Sequence, residues 1–261
     1  MYGIILAGGL GTRLGSLTTV INKHLLPVYD SPMIFYPIRT LVSLGVTKLL
    51  IVVGGNSDSF IKLIGDGKQF GLSSAYYAYQ DGEGGIADAL KLGRNFVPEG
   101  SPFILCLGDN IFDDLNFDIQ LALNNASSPI DSATIVLKEV SNPQRFGVAT
   151  VGRNNIITEI EEKPENPKSN LAVTGLYIYP YEAFKVIETL KPSNRGELEI
   201  TDLNNYFIKD YRIAWVKHEG TWLDCGTINS LYNSNTVMAS KGRNKKDVKK
   251  FEKVMSIVNI S

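Results

Sequence analysis

Ile4-Ile5-Leu6-Ala7-Gly8-Gly9-Leu10-Gly11-Thr12-Arg13-Leu14 opens the chain with an apolar strand run that empties into a glycine-rich loop. Glycines at 8, 9 and 11 let the backbone turn with positive φ and present N–H donors to anionic oxygens with no Cβ in the way. Arg13 adds a planar, permanently charged fork suited to phosphate. The loop therefore reads as a cradle for a triphosphate, with an ordinary tight turn as the competing reading. A P-loop requires Lys-Ser or Lys-Thr after its last glycine, where this chain has Thr12-Arg13. The dinucleotide fingerprint requires a glycine at position 14 if Gly9 and Gly11 are its first two, and Leu14 stands there.

Outward from this loop, the apolar runs Tyr2–Ala7, Lys48–Val53, Ser74–Tyr79 and Pro102–Leu107 alternate with helical patterns at about Met33–Leu44, Ser57–Ile64 and Gly85–Phe96. That alternation predicts an α/β fold, a mixed and mostly parallel sheet flanked by helices. Ligands in such sheets bind beyond the carboxyl ends of the strands, where each of these runs gives way to a polar or glycine-rich loop. After Leu121–Asn125 the pattern turns β-branched and more antiparallel: Ala133–Val140, Val148–Val151 and Ile156–Ile160, the last two joined by a hairpin turn at Gly152-Arg153-Asn154-Asn155. A strand at Leu171–Tyr179, a helix near Tyr181–Leu190, a strand at Arg212–Lys217 and a helix from about Ile228 follow. No internal repeat or low-complexity linker separates the halves, so residues 1–240 are expected to form one domain. Residues 241–261 carry seven Lys or Arg against two acids, leaving 19 basic against 25 acidic residues, a net of −6, in the remainder. Val248, Phe251, Met255 and Val258 recur at helical spacing and predict a basic amphipathic tail that docks on its own or a neighbouring subunit.

With 261 residues, 44% of them apolar, and a formal net charge of −1, the chain can bury a sizeable core. The near-neutral balance argues against a broad nucleic-acid surface and favours small anionic partners. Cys106 and Cys225 offer neither a disulfide framework nor metal-ligand spacing. No apolar segment approaches the roughly 18–20 residues of a membrane span, and the first strand has no charged leader, so a cytoplasmic protein away from membranes is expected.

Further segments carry residues suited to phosphate chemistry. Asn22-Lys23-His24-Leu25-Leu26-Pro27 follows the glycine loop closely enough for Lys23 to return to the phosphates that Arg13 meets, while His24 reads as structural. Leu105-Cys106-Leu107-Gly108-Asp109-Asn110 sets an acid just beyond a buried strand, and Trp222-Leu223-Asp224-Cys225-Gly226 repeats that arrangement. Mg²⁺ takes hard oxygen ligands and usually only one or two carboxylates, which makes Asp109 and Asp224 its candidate ligands; each aspartate also suits a cap or turn. Glu162 and Lys163, at the end of a charged strand closed by Pro164, suit a phosphorylated sugar or an exposed edge. Gln80 and the glycines at 82, 84 and 85 offer an amide and open backbone to a planar base, or simply a flexible loop.

In order along the chain, Gly3-Ile4-Ile5-Leu6-Ala7-Gly8-Gly9, Gly11-Thr12-Arg13-Leu14, Lys23-His24-Leu25-Leu26-Pro27, Leu107-Gly108-Asp109-Asn110-Ile111-Phe112, Arg145-Phe146-Gly147-Val148, Glu161-Glu162-Lys163-Pro164, Val173-Thr174-Gly175-Leu176-Tyr177 and Arg195-Gly196-Glu197-Leu198-Glu199-Ile200-Thr201-Asp202 resemble the sugar-1-phosphate nucleotidylyltransferases, most closely the glucose-1-phosphate thymidylyltransferases. The resemblance implies the Rossmann-like nucleotide-diphospho-sugar transferase fold. It also implies a reaction in which glucose 1-phosphate attacks the α-phosphorus of dTTP, with Mg²⁺ as cofactor and a homo-oligomer, dimer or tetramer, as the assembly. By resemblance, Arg13, Lys23 and Lys163 are catalytic. Leu6, Ala7, Gly8, Gly9, Gly11, Thr12, Gln80 and Gly85 bind nucleotide. Asn110, Gly147, Glu162, Val173, Gly175, Tyr177 and Arg195 bind the sugar phosphate, and Asp109 and Asp224 hold the metal. Longer family members continue past the Asp224 position with helices that shape a regulatory nucleotide site; this chain has the basic tail, and no feedback control through that site is expected.

The alternatives are a uridylyltransferase, since thymine differs from uracil by one methyl worth only about 1–3 kcal/mol in a pocket, and a non-catalytic nucleotide-sugar sensor. A glycosyltransferase of related fold would typically carry an Asp-x-Asp motif, a spacing that Asp113-Asp114 does not supply.

Overall fold

Strand β1 (Tyr2–Ala7) alternates its side chains between two separate cores, Ile4 and Leu6 facing one and Ile5 and Ala7 the other. Side chains on a strand point to opposite faces in turn, so an unbroken apolar run signals a strand covered on both sides. The computed structural model describes residues 1–242 except 56, 83, 114, 116–131 and 211. Expectations for the apolar stretch at 121–125 and for the basic tail from 243 onward fall outside those residues.

The remaining strands in chain order are β2 (Pro27–Val28), β3 (Ser31–Pro32), β4 (Lys48–Val53), β5 (Ser74–Tyr79), β6 (Phe103–Leu107), β7 (Asn110–Phe112), β8 (Ala133–Glu139), β9 (Gly147–Val151), β10 (Ile157–Glu162), β11 (Leu171–Tyr179), β12 (Ile213–Lys217) and β13 (Trp222–Asp224). The central sheet runs β10-β9-β11-β6-β1-β4-β5, with β8 paired to β11 and β12 to β8. Strands β5, β4, β1 and β6 pair in parallel, and β11 joins β6, β8 and β9 antiparallel. The expected mixed α/β sheet is therefore present. One departure is local: β12 pairs parallel to β8 within the half expected to be antiparallel.

Helices α1 (Phe35–Ser43) and α2 (Ser57–Ile64) cover one face through residues such as Ile38, Leu41 and Phe60. Helices α3 (Ile86–Lys91), α4 (Glu182–Ile187) and α5 (Ile200–Lys209) cover the other through Leu90, Phe184, Leu203 and Phe207. Helix α5 is absent from the expectations drawn above, although Ile200, Leu203, Phe207 and Ile208 recur at i, i+3, i+7 and i+8, the stripe of an amphipathic helix. Strands β7 and β13 are absent from them too, because three residues carry no usable periodicity; their pairing sets Asp224 opposite Asn110. The hairpin expected between β9 and β10 forms, with Asn154 and Asn155 both left-handed, a conformation Asn tolerates.

Helix α6 (Ile228–Lys241) starts with Thr227 and Ser230 in a reciprocal capping box. Its Leu231 packs with Leu14, Leu26, Val28 and Leu223 in a third apolar cluster beneath the glycine loop. Among the described residues no helix is long and apolar enough to cross a membrane.

Candidate active site

The carboxyl ends of β1 and β6 lie side by side, and the loops leaving them line a cavity of about 530 Å³. Gly11, at φ 70°, begins the 3₁₀ turn that carries Arg13, a backbone geometry glycine adopts without strain. A Cβ on Gly8 would stand 2.6 Å from Gln80 Oε1, so the bare glycine lets the Gln80 amide close over the loop.

Lys23 reaches this end of the cavity because Asn22 ties its own loop to the strand end. The Asn22 side chain accepts from the His24 N–H at 3.0 Å and donates to the Ala7 carbonyl at 3.3 Å. Lys23 Nζ then sits 2.6 Å from Asp109 Oδ2, with both side chains largely buried. Burial by itself raises the Asp109 carboxyl, but the Lys23 charge and the hydrogen bonds from Lys23 and Asn110 outweigh it and hold the group well below the usual carboxylate range. His24 is buried beside them; burial first, and the Lys23 charge second, lower its pKa from 6.5 to about 3, so it is a neutral structural residue near neutral pH. Asp224 behaves oppositely. Burial and the neighbouring Asp109 charge push its carboxyl up, against the opposing pull of Arg145, Arg13 and Lys23.

Asn110 is engaged on three sides. Its Nδ2 donates to Asp109 Oδ1 at 3.0 Å, and its Oδ1 accepts from the Gly175 N–H at 3.0 Å and from Trp222 Nε1 at 2.7 Å. One side chain thus links the carboxylate end of the cavity to the wall formed by β11 and β13.

Lys163 has a left-handed backbone (φ 45°) even though proline follows, and its N–H donates to the Phe146 carbonyl at 3.0 Å. Such a conformation persists in a non-glycine residue only where the surroundings hold it. Glu162 accepts from Thr201 Oγ1 at 2.7 Å and pairs with Lys163 Nζ at 3.3 Å. Arg195 pairs with Glu197 at 3.0 Å, Glu199 at 3.3 Å and Glu162 at 3.7 Å. Two cations and three glutamates therefore gather in one part of the wall, a mixed-charge surface that can meet both a phosphate and hydroxyl groups.

The cavity wall brings together every residue given a catalytic, binding or metal role by the resemblance except Ala7; Gly84, offered to the base, is also absent from the wall. Ala7 is fully buried behind it, with its carbonyl turned to Asn22. Arg145, Phe146, Thr201 and Trp222 line the cavity without having been given a role from sequence. Arg145 and Phe146 stand beside Gly147 in a motif quoted as a unit, and Trp222 stands two residues before Asp224, so proximity in sequence was the available signal. Among the described residues no group of three or more His, Cys, Asp or Glu side chains is arranged to hold a metal ion. Asp109 and Asp224 are two hard oxygen donors whose mutual repulsion a divalent cation would relieve, which fits an ion that completes its shell with phosphate and water.

The family model described as nucleotidyl transferase matches residues 2–241. A glucose-1-phosphate thymidylyltransferase of Neisseria meningitidis serogroup A is 44% identical over 237 residues, which make up 90% of this chain and 81% of the relative. The protein of the same name from Xanthomonas campestris is 43% identical over 235 residues, 89% of this chain and 78% of that one. Among solved structures, a candidate glucose-1-phosphate thymidylyltransferase from Bacillus anthracis in complex with a sucrose aligns with a TM-score of 0.83 at 43% identity, covering 91% of this chain and 95% of its own. A UDP-glucose pyrophosphorylase complexed with UDP-glucose aligns with a TM-score of 0.82 at 24% identity, covering 92% and 98%, and speaks to the fold alone. With the glycine loop and the two aspartates on one cavity, and with relatives above 40% identical along most of its length, the chain belongs to the nucleotidyl transferase family, among the glucose-1-phosphate thymidylyltransferases.

Proposed function

We propose that this chain transfers a thymidylyl group from dTTP to glucose 1-phosphate, giving dTDP-glucose and pyrophosphate. The family generally uses a divalent metal, and in this reading the ion is Mg²⁺. The working unit is one nucleotidylyltransferase domain of residues 1–240 bearing the basic extension 241–261, assembled as a dimer or tetramer in the cytoplasm. The observation that carries this reading is a single cavity bounded by the glycine loop, Lys23 and the two aspartates on one side and by Glu162, Lys163 and Arg195 on another. A nucleoside triphosphate and a sugar phosphate can lie in it together.

In the reaction a phosphate oxygen of glucose 1-phosphate forms a bond to the α-phosphorus of dTTP as the bond to the bridging β-oxygen breaks, and the electron pair leaves with pyrophosphate. A sugar phosphate is already ionised near neutral pH, so no general base is required and the chemistry needs positioning and charge neutralisation. Arg13 and the glycine-loop N–H groups take the charge that builds on the leaving pyrophosphate. Lys23 neutralises the triphosphate from the side of Asp109. Lys163 and Arg195 hold the sugar phosphate in line, and Glu162, Gly147, Val173, Gly175, Tyr177 and Asn110 line the sugar. Gln80 and Gly85 meet the base. Asp109 and Asp224 would hold the metal, which would supply Lewis-acid charge against the phosphates.

The test mixes the protein with Mg²⁺, glucose 1-phosphate and, in parallel, dTTP, UTP, CTP, GTP or ATP, measures pyrophosphate release and identifies the sugar nucleotide by mass. Fastest turnover with dTTP is expected. Preference for another nucleotide moves the substrate while keeping the mechanism, and silence with all five from folded protein overturns the catalytic reading.

A further inference from the structure

Arg145 lines the cavity beside the proposed metal carboxylates, and no step of the proposed reaction uses it. Its Nη2 lies 3.2 Å from Asp224 Oδ2, its one ion pair among the described residues. The guanidinium also sits over the Phe146 ring, 5.3 Å from its centroid, and Phe146 in turn packs against Trp222 with centroids 5.0 Å apart. Arginine held over an aromatic face gains a cation–π contact as well as its ion pair, so the arm, although partly exposed, rests on an aromatic platform. Arg13 stands on the side of the other Asp224 oxygen: Asp224 Oδ1 and Arg13 Nη2 converge on Gly226, at 3.2 and 3.0 Å from where a Cβ would stand. Asp224 thus feels the charges of two arginines, Arg145 in contact and Arg13 nearby, while Asp109 is paired with Lys23.

We propose that Arg145 is a positioning residue that holds Asp224 and sets how strongly the carboxylate pair takes up a divalent cation before nucleotide arrives. The inference rests on the metal assignment in the proposed function and deepens it. A cation approaching Asp224 must share its Oδ2 lone pairs with a guanidinium and meets that guanidinium's charge at close range. Arg145 therefore weakens binding of the metal to the protein alone. A metal carried in on a triphosphate meets a lower barrier, because the phosphates bring negative charge that Arg145 can pair with as it leaves Asp224. The effect is to couple metal uptake to nucleotide binding.

The measurement is binding of Mn²⁺ to the folded protein without substrates, read from the loss of the free-ion paramagnetic resonance signal. Relative to the unaltered protein, Arg145→Gln should bind Mn²⁺ roughly 3- to 10-fold tighter, the range expected when one partly exposed charge contact is removed. Arg145→Lys should restore weak binding because it returns the charge. Arg153→Gln, which removes a positive charge from the β9–β10 turn, should leave binding unchanged and so separates a local contact from a change in net charge. With dTTP present, the gain shown by Arg145→Gln should shrink or reverse. Arg145→Gln binding Mn²⁺ no tighter than the unaltered protein, including no detectable binding by either, overturns the inference, as does an equal gain in Arg153→Gln. Asp224→Asn should abolish the Arg145→Gln gain; tight Mn²⁺ binding that ignores Asp224 overturns the metal assignment and this inference together, whereas loss in Asp224→Asn with no effect at Arg145 overturns this inference alone.

Discussion

Lys23, placed 2.6 Å from Asp109, keeps that carboxylate charged despite its burial and at the same time helps keep His24 neutral. Replacing Asp109 with Asn leaves Lys23 without its counterion and removes a proposed metal ligand. Replacing Arg13 with Ala removes the charge proposed to meet the leaving pyrophosphate. Each change should lower turnover by roughly 10²- to 10³-fold, the usual loss of one preorganised charge-stabilising group, as read by pyrophosphate release under saturating substrates. His24 makes the pH prediction. Its folded pKa of about 3 lies below the unfolded value of 6.5, so between those values the unfolded chain binds the extra proton. Its contribution to stability is complete above 6.5 and is lost as pH falls toward 3. Denaturant titrations across that window should show the unaltered protein losing more stability than His24→Gln; parallel losses would remove His24 as the cause. Residue types were legible in the sequence at Arg13, Lys23 and Asp109. That Lys23 would grip Asp109, and that Asn110 would spend its amide on Asp109, Gly175 and Trp222, was not, because most of those partners come from distant parts of the chain.

Among the elements, β1, β4, β5 and β11 were readable to their ends, since long apolar runs bounded by glycine or polar residues declare themselves. The three-residue strands β7 and β13 were not, although their pairing aligns the two aspartate segments. Gly175 on β11 tests how tightly these pieces fit. A Cβ there would lie 2.7 Å from the Asn110 side chain and 2.8 Å from Leu107 Cβ, both held in packed strands. Gly175→Ala should cost about 1–3 kcal/mol in denaturant unfolding, the usual range for overpacking. It should also slow turnover, because Asn110 cannot yield without disturbing Asp109. Unchanged stability and rate would mean that Asn110 has room to move.

Across the whole molecule, the third apolar cluster joins the two ends of the described chain. Leu14, next to Arg13, shares this cluster with Leu231 of α6, which ties the support of the glycine loop to that helix. Leu231→Ala should therefore lower stability by about 2–5 kcal/mol, as large-to-small changes in cores do. It should also raise the apparent KM for the nucleotide by loosening the support of Arg13, which steady-state kinetics at varied dTTP would show; an unaltered KM would separate α6 from the loop. Apolar periodicity and short glycine, lysine and aspartate motifs express local physics, and they were enough to give the class of fold, the covered strands of the first half and the residue types that line the cavity. Which charges neutralise which, that Arg145 pairs with Asp224, and that β12 joins β8 in parallel emerged only on folding. Those outcomes depend on long-range register and on burial, and neither is encoded within any one stretch of the chain.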